Sequence, residues 1–301
     1  MKTQIRLYNR RTGRVETEEV YGRRFVDLCY GTSWGRRITA HLLVHVAVSR
    51  LYGRLQMDPR SRRQIGPFIA KYRIDLSEVL VPRGGFHCFN DFFIRRLRPG
   101  ARPVSTDPHA LVSPADSRLQ VFQIQPDTRL NIKGTPMTLP ALLGLSGLDP
   151  GFEGGLCLCY RLAPCDYHRF GYVDDGLQGT VHTIRGPLHS VNPLATMHKP
   201  DILSTNYRQW CWVQSLHFGT LIQVEVGALL VGSIVQQQPK GGPCLRGQEK
   251  GYFQFGGSTV VLIVEPERVA MDADIMAQSA QGIETLVRYG ETVGRAMIRS
   301  G

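Results

Sequence analysis

The 301-residue sequence has no apolar run of the roughly 18 residues that a bilayer-spanning helix takes. Its opening stretch, MKTQIRLYNRRTGRVETEEV, lacks the apolar core of a secretory signal. The expectation from both absences is a chain kept in the cytoplasm. Cysteine is sparse: seven residues, an odd and scattered set, which argues against a disulfide framework. Cys157, Cys159 and Cys165 lie close together. Cys157 and Cys159, however, belong to GLCLCYRLAP, which reads as a buried strand, so they are expected in the core and no metal is expected. A helix-turn-helix, a zinc pattern and a platform of stacking aromatics are also missing, so nucleic acid is not an expected partner. Acidic residues are scarce in one place only. Residues 1–100 hold 20 Lys/Arg against 8 Asp/Glu, whereas residues 101–301 hold 16 against 17. An excess confined to one third of the chain selects an anionic partner, here an acidic lipid surface.

What is present is an ordinary globular composition, 42% hydrophobic and 20% charged, enough to bury a core. Residues 21–55 contain no proline and read as helical. The apolar centre of that stretch, Ile38 to Val48, is bracketed by Arg36, Arg37, Arg50 and Arg54, as suits a helix lying in a membrane interface or packed on the protein. A second helix is predicted over FHCFNDFFIRRL, Phe86 to Leu97. Phe89, Phe92 and Phe93 share one face, and Pro99 and Gly100 end it. Beyond residue 100, short apolar runs alternate with turn residues, as in a β-rich domain. Gly227 and Gly232 interrupt the strongest strand pattern and mark bulges or close backbone approach. The tail from Asp272 reads as helical or irregular. The expected fold is α+β, with basic N-terminal helices (residues 1–100, membrane-associating) packed on a β-rich catalytic domain (residues 101–301).

One glycine-rich turn stands out, in GQEKGYFQFGGSTVVLIVEP at 247–266, where Ser258 precedes an apolar strand. From spacing alone it reads first as a structural turn. A phosphate-cradling loop would need a following helix. A nucleophile elbow would need G-x-S-x-G at a strand-to-helix turn.

The segment FGGST does not stand alone. SPAD at Ser113–Asp116, LAPCDYHRF at Leu162–Phe170, HSVNPL at His189–Leu194, VEVGALLVGSI at Val224–Ile234 and FNDFFIRRLRPGARP at Phe89–Pro103 accompany it. In order and spacing this set resembles the phosphatidylserine decarboxylase family from about residue 65 onward. The resemblance implies self-cleavage between Gly257 and Ser258 into fragments 1–257 and 258–301. Ser258 would attack the Gly257 carbonyl, with His168 as base and Asp116 orienting it. Ser258 would then become a pyruvoyl group, a covalent cofactor made from the chain itself. That group would decarboxylate phosphatidylserine to phosphatidylethanolamine through a Schiff base. The implied partners are the lipid substrate, the anionic cytoplasmic face of the cell membrane as a peripheral site, the two fragments for each other, and a second copy in a homodimer.

The chain departs from the family pattern in three places. D-Y-H-R-x-H appears as Asp166-Tyr167-His168-Arg169-Phe170-Gly171, so Gly171 replaces a second histidine. Ser117 stands where glycine usually follows the aspartate, and N-E-R appears as Asn206-Tyr207-Arg208. Either His168 does both proton tasks, or His189 or His198 supplies a proton, or one activity is lost. Gly171→His is expected to speed decarboxylation if the missing histidine had slowed it. The alternative functions are a pyruvoyl decarboxylase of a soluble amino acid and an uncleaved, non-catalytic lipid-binding relative.

Overall fold

The computed structural model describes residues 5–18, 23–39, 44–132, 135–147, 150–191, 195, 199, 201–229, 233–254 and 258–297. Four long strands form the middle of an eleven-stranded sheet: Gly219–Val226, Ser258–Val264, Leu156–Leu162 and Ser117–Gln123, in that order and antiparallel. The run STVVLIV carries no polar alternation because both faces of this sheet are covered. Val260, Leu262 and Val264 enter one core with Leu158, Tyr160 and Leu221. Val261 and Ile263 enter a second core with Cys157, Cys159, Ile222 and Val224. The two cysteines are thus buried strand residues. Gly227 sits where a Cβ would press on Leu188 and the Tyr207 carbonyl, the close approach expected of it. Gly232 lies outside the described residues.

The helical stretch is broken into α1 (Arg23–Gly31), α2 (Ser33–Ile38) and α3 (Val46–Met57), followed by α4 (Ile65–Tyr72) and α5 (Phe89–Phe93). At the first break the Thr32 hydroxyl donates to the Leu28 carbonyl at 2.7 Å. α3 ends where Asp58, extended before Pro59, turns its side chain to the Arg60 amide at 2.8 Å. α4 and α5 share an aromatic core in which Phe68, Phe86, Phe89, Phe92 and Phe93 are all buried. α5 is shorter than the predicted helix over 86–97. The Ile94 carbonyl is captured by the Arg169 guanidinium at 2.8 Å, so the chain turns away there instead of continuing the helix.

Two elements differ from expectation. Residues Arg6–Asn9 and Arg14–Thr17 form a hairpin within the basic first third. Its first strand joins the main sheet parallel to Glu284–Val287. The tail, expected to be helical or irregular, holds one helix, Ala273–Ala280, and two strands, Glu284–Val287 and Thr292–Ala296. Both strands are inner ones, so long-range pairing overrides a weak local signal.

Candidate active site

The histidine motif occupies the connection between Leu156–Leu162, in the main sheet, and Arg169–Gly171, in a three-stranded sheet with Glu249–Phe253 and Ile234–Gln236. Two backbone pairings tie the processing segment to this connection. The Phe253 amide donates to the His168 carbonyl at 2.9 Å. Ser258 opens its strand directly opposite Leu162. The chain on either side of residues 255–257 is therefore fixed to the histidine motif. Gly257 and the side chain of Ser258 lie outside the described residues.

His168 is fully buried. Its ring packs on Phe93 of α5, with centroids 3.9 Å apart and planes inclined by 36°. Its Nδ1 lies 3.0 Å from the Asp166 carbonyl. A backbone carbonyl can only accept, so this contact selects the tautomer with the proton on Nδ1 and leaves Nε2 with the basic lone pair. The motif is held by two arginines acting in opposite directions. Arg169 donates to the Ile94 carbonyl and, through Nη1, to Glu249 at 2.8 Å. Arg95 donates through Nη2 to the carbonyls of Cys165 and Asp166, at 3.0 and 3.1 Å.

Asp116 ends the SPAD turn, which is joined to the histidine motif by the Gly171 amide donating to the Pro114 carbonyl at 2.9 Å. Its carboxylate does not orient the His168 Nδ1, which faces the Asp166 carbonyl. It accepts from Arg102 Nε at 2.8 Å and Nη2 at 2.6 Å, and from the Tyr289 amide at 2.8 Å. Arg102 also reaches Glu78 at 2.8 Å. Burial opposes the Arg102 charge, but Asp116 and Glu78 outweigh it and raise its pKa. Asp166 pairs with Arg118 and accepts from the Ala163 amide at 2.6 Å. Burial pushes its carboxyl up, against the pull of Arg118. Arg118 continues into a buried network through Glu18 and Arg161 to Glu284, so the N-terminal hairpin and the tail both brace this floor.

The substitution at Gly171 has a structural counterpart. A Cβ there would collide with the hydroxyl of Tyr289, which donates to the Gly247 carbonyl at 2.9 Å. His189 is buried, and burial followed by the Lys199 charge lowers its pKa from 6.5 to about 4. Asn206 grips its backbone, accepting from the His189 amide at 3.0 Å and donating to the His189 and Gly227 carbonyls at 2.8 Å each. The HSVNPL and VEVGALL segments are thereby joined. His198 lies outside the described residues. Arg95, Arg102, Arg169 and Tyr289 carry no pattern in the sequence that marks them as site residues. The buried Lys250–Glu225 pair, at 2.8 Å, lies in the segments GQEKGYFQF and VEVGALLVGSI. Two oppositely charged residues in otherwise apolar strands were the available signal.

Residues 89–295 match the family model described as phosphatidylserine decarboxylase. The chain is 39% identical over 295 residues to the phosphatidylserine decarboxylase proenzyme of Clostridium botulinum (strain Alaska E43 / Type E3), covering 98% of this chain and 100% of that protein. It is 38% identical to the proenzymes of Clostridium kluyveri and of Desulfitobacterium hafniense (strain Y51), each covering 96% of this chain and 98% of the relative. With matches of this length and identity, the chain belongs to the phosphatidylserine decarboxylase family.

Proposed function

We propose that the chain is a phosphatidylserine decarboxylase proenzyme that cuts itself between Gly257 and Ser258. The observation that carries this reading is that both flanks of the proposed cut are fixed to the histidine motif, Phe253 by its amide on the His168 carbonyl and Ser258 by its pairing opposite Leu162. The His168 tautomer leaves Nε2 to take the Ser258 hydroxyl proton. The serine oxygen bonds to the Gly257 carbonyl carbon, the peptide C–N bond breaks, and an ester results. Loss of the Ser258 α-proton then expels Gly257 as a carboxylate. The enamine left behind tautomerises to an imine, water adds to its carbon and ammonia leaves, which gives a pyruvoyl group at residue 258.

The surroundings of residue 258 suit such a group. A cut there leaves both flanking strands anchored, the one ending at Phe253 in the three-stranded sheet and the one opening at residue 258 in the main sheet. The pyruvoyl group supplies an electron-accepting carbonyl for loss of the substrate carboxylate. The chain's own contribution is a water-poor wall. Phe93 covers the His168 ring, and Arg95 and Arg169 lock the motif against α5. The substrate class is the one named in the relatives, phosphatidylserine.

The membrane reading is part of the same proposal. Trp34, Leu51, Leu55 and Met57 on α2 and α3 are more than half exposed, and Arg37 and Arg54 are exposed beside them. Among the described residues no helix is long and apolar enough to cross a membrane. Exposed apolar side chains flanked by arginine suit peripheral docking on the anionic cytoplasmic face. Decarboxylation of phosphatidylserine in mixed vesicles, with free serine as the comparison substrate, tests the function. Release of carbon dioxide from the lipid alone supports it, and release from serine alone replaces it with the soluble-substrate function.

A further inference from the structure

A cavity of about 250 Å³ opens behind the histidine motif, lined by the end of α4, Leu97, Asp116 and residues 286–288. Its volume holds several waters. Six arginines line it, at positions 11, 73, 95, 102, 118 and 288, against the carboxylates of Asp75, Glu78, Asp116 and Asp166. Three of those carboxylates are already committed. Asp116 is held by Arg102, Asp166 by Arg118, and Glu78 is shared between Arg102 and Arg288. Asp75 accepts from the Ser77 amide at 2.8 Å.

Three guanidinium groups are left over. Among the described residues, Arg11, Arg73 and Arg95 make no ion pair. Arg95 is the informative one, because it is only 5% exposed. Its Nη2 meets the Cys165 and Asp166 carbonyls and its Nη1 the Phe92 carbonyl, while its Nε, sealed from solvent, has no hydrogen-bond partner. Burying a charge with one donor unmet is costly unless an anion reaches it. Burial lowers the pKa of Arg95 against the pull of Asp116 and Asp166, and burial together with the facing charges of Arg288 and Arg102 lowers that of Arg11 against Glu291 and Asp116. A surplus of cations held against each other attracts a compact anion.

We propose that this cavity is a binding site for a phosphate-class oxyanion, with Arg95 at its floor and the exposed Arg11 and Arg73 at its mouth. The site does not depend on the decarboxylase reading. Its occupant is either free phosphate or the phosphodiester of a lipid headgroup, since both present the same oxygens.

Calorimetric titration of the full chain with inorganic phosphate, against chloride at matched ionic strength, tests the site. Saturable binding of phosphate and none of chloride is expected. Arg73→Ala and Arg11→Ala, both at exposed positions, should each weaken phosphate binding about ten-fold. Arg95→Gln should abolish it; should that variant fail to fold, the two mouth variants decide. A second arm uses phosphatidylglycerol vesicles. Phosphate competing with vesicle binding identifies a headgroup occupant. Saturable phosphate binding that vesicles leave unchanged identifies free phosphate. Phosphate heats equal to those of chloride, or mouth variants that bind phosphate as the wild type does, would overturn the proposal.

Discussion

The hydroxyl of Tyr289 stands where a side chain at Gly171 would begin. The departure from the family pattern at 171 is therefore matched by a bulky residue more than a hundred positions away in sequence. The sequence alone suggests that Gly171→His restores a proton donor and speeds decarboxylation. The packing predicts otherwise: the single variant overpacks the site and loses about 1–3 kcal/mol of stability. Combining it with Tyr289→Ala should recover only part of that loss, because the added Cβ also comes within 2.8 Å of the Gln248 carbonyl. Thermal unfolding of the single and double variants measures it, and a single variant as stable as wild type contradicts the assigned clash.

The contacts of Asp116 and His168 predict different phenotypes. His168→Gln should block self-cleavage while changing the unfolding temperature only modestly, because the amide keeps a donor for the Asp166 carbonyl and most of the volume packed on Phe93. Asp116→Asn should cost stability as well, because it uncouples Arg102 from a pair whose side chains are 11% and 12% exposed. Because Glu78 still holds Arg102, the loss should fall below the about 3–5 kcal/mol of a buried charge left without any partner. Following cleavage and unfolding together separates the two. An Asp116→Asn protein of wild-type stability that remains uncut would return Asp116 to the role of orienting the base.

His189 predicts a pH dependence. Burial holds its pKa near 4 against the usual 6.5, so the folded state binds this proton less readily than the unfolded state. The neutral ring costs nothing above pH 6.5, and stability falls as the pH drops from 6.5 toward 4. The full effect is up to about 3 kcal/mol. Denaturant titrations across this window should show a shallower slope for His189→Gln than for wild type. Identical slopes would place the titrating group elsewhere.

Docking on a membrane predicts salt sensitivity. Binding to phosphatidylglycerol vesicles should exceed binding to phosphatidylcholine vesicles and weaken as salt screens the exposed arginines. Arg37→Glu with Arg54→Glu should reduce binding further while leaving self-cleavage intact. Co-sedimentation measures both, and salt-independent binding equal on the two lipids removes the electrostatic contribution.

The parts of this molecule that announce themselves locally were legible. STVVLIV and GLCLCYRLAP are strands buried on both faces, and their unbroken apolar runs say so. The phenylalanines of FHCFNDFF share a buried face, as their spacing implies. The hairpin of Arg6–Asn9 and Arg14–Thr17 was not legible. Its second strand is wholly exposed, and its first finds its partner at Glu284–Val287. Pairing across that separation leaves no periodic trace. The same holds for the site. Ser258, His168 and Asp116 are marked by motif. The crossed arginines Arg95 and Arg169, the grip of Arg102 on Asp116, and the filling of Gly171 by Tyr289 exist only in three dimensions.

The most direct test of self-processing is the intact mass of the purified chain with a denaturing gel. The strand Ser258–Val264 lies between Gly219–Val226 and Leu156–Leu162, both of them in the large fragment. Two pieces are therefore expected, residues 1–257 and 258–301, that co-purify under native conditions and separate only when denatured. The smaller should carry a ketone in place of its N-terminal amine and resist Edman degradation, and Ser258→Ala should stay whole. A single intact 33.7 kDa chain in fully active protein would contradict it.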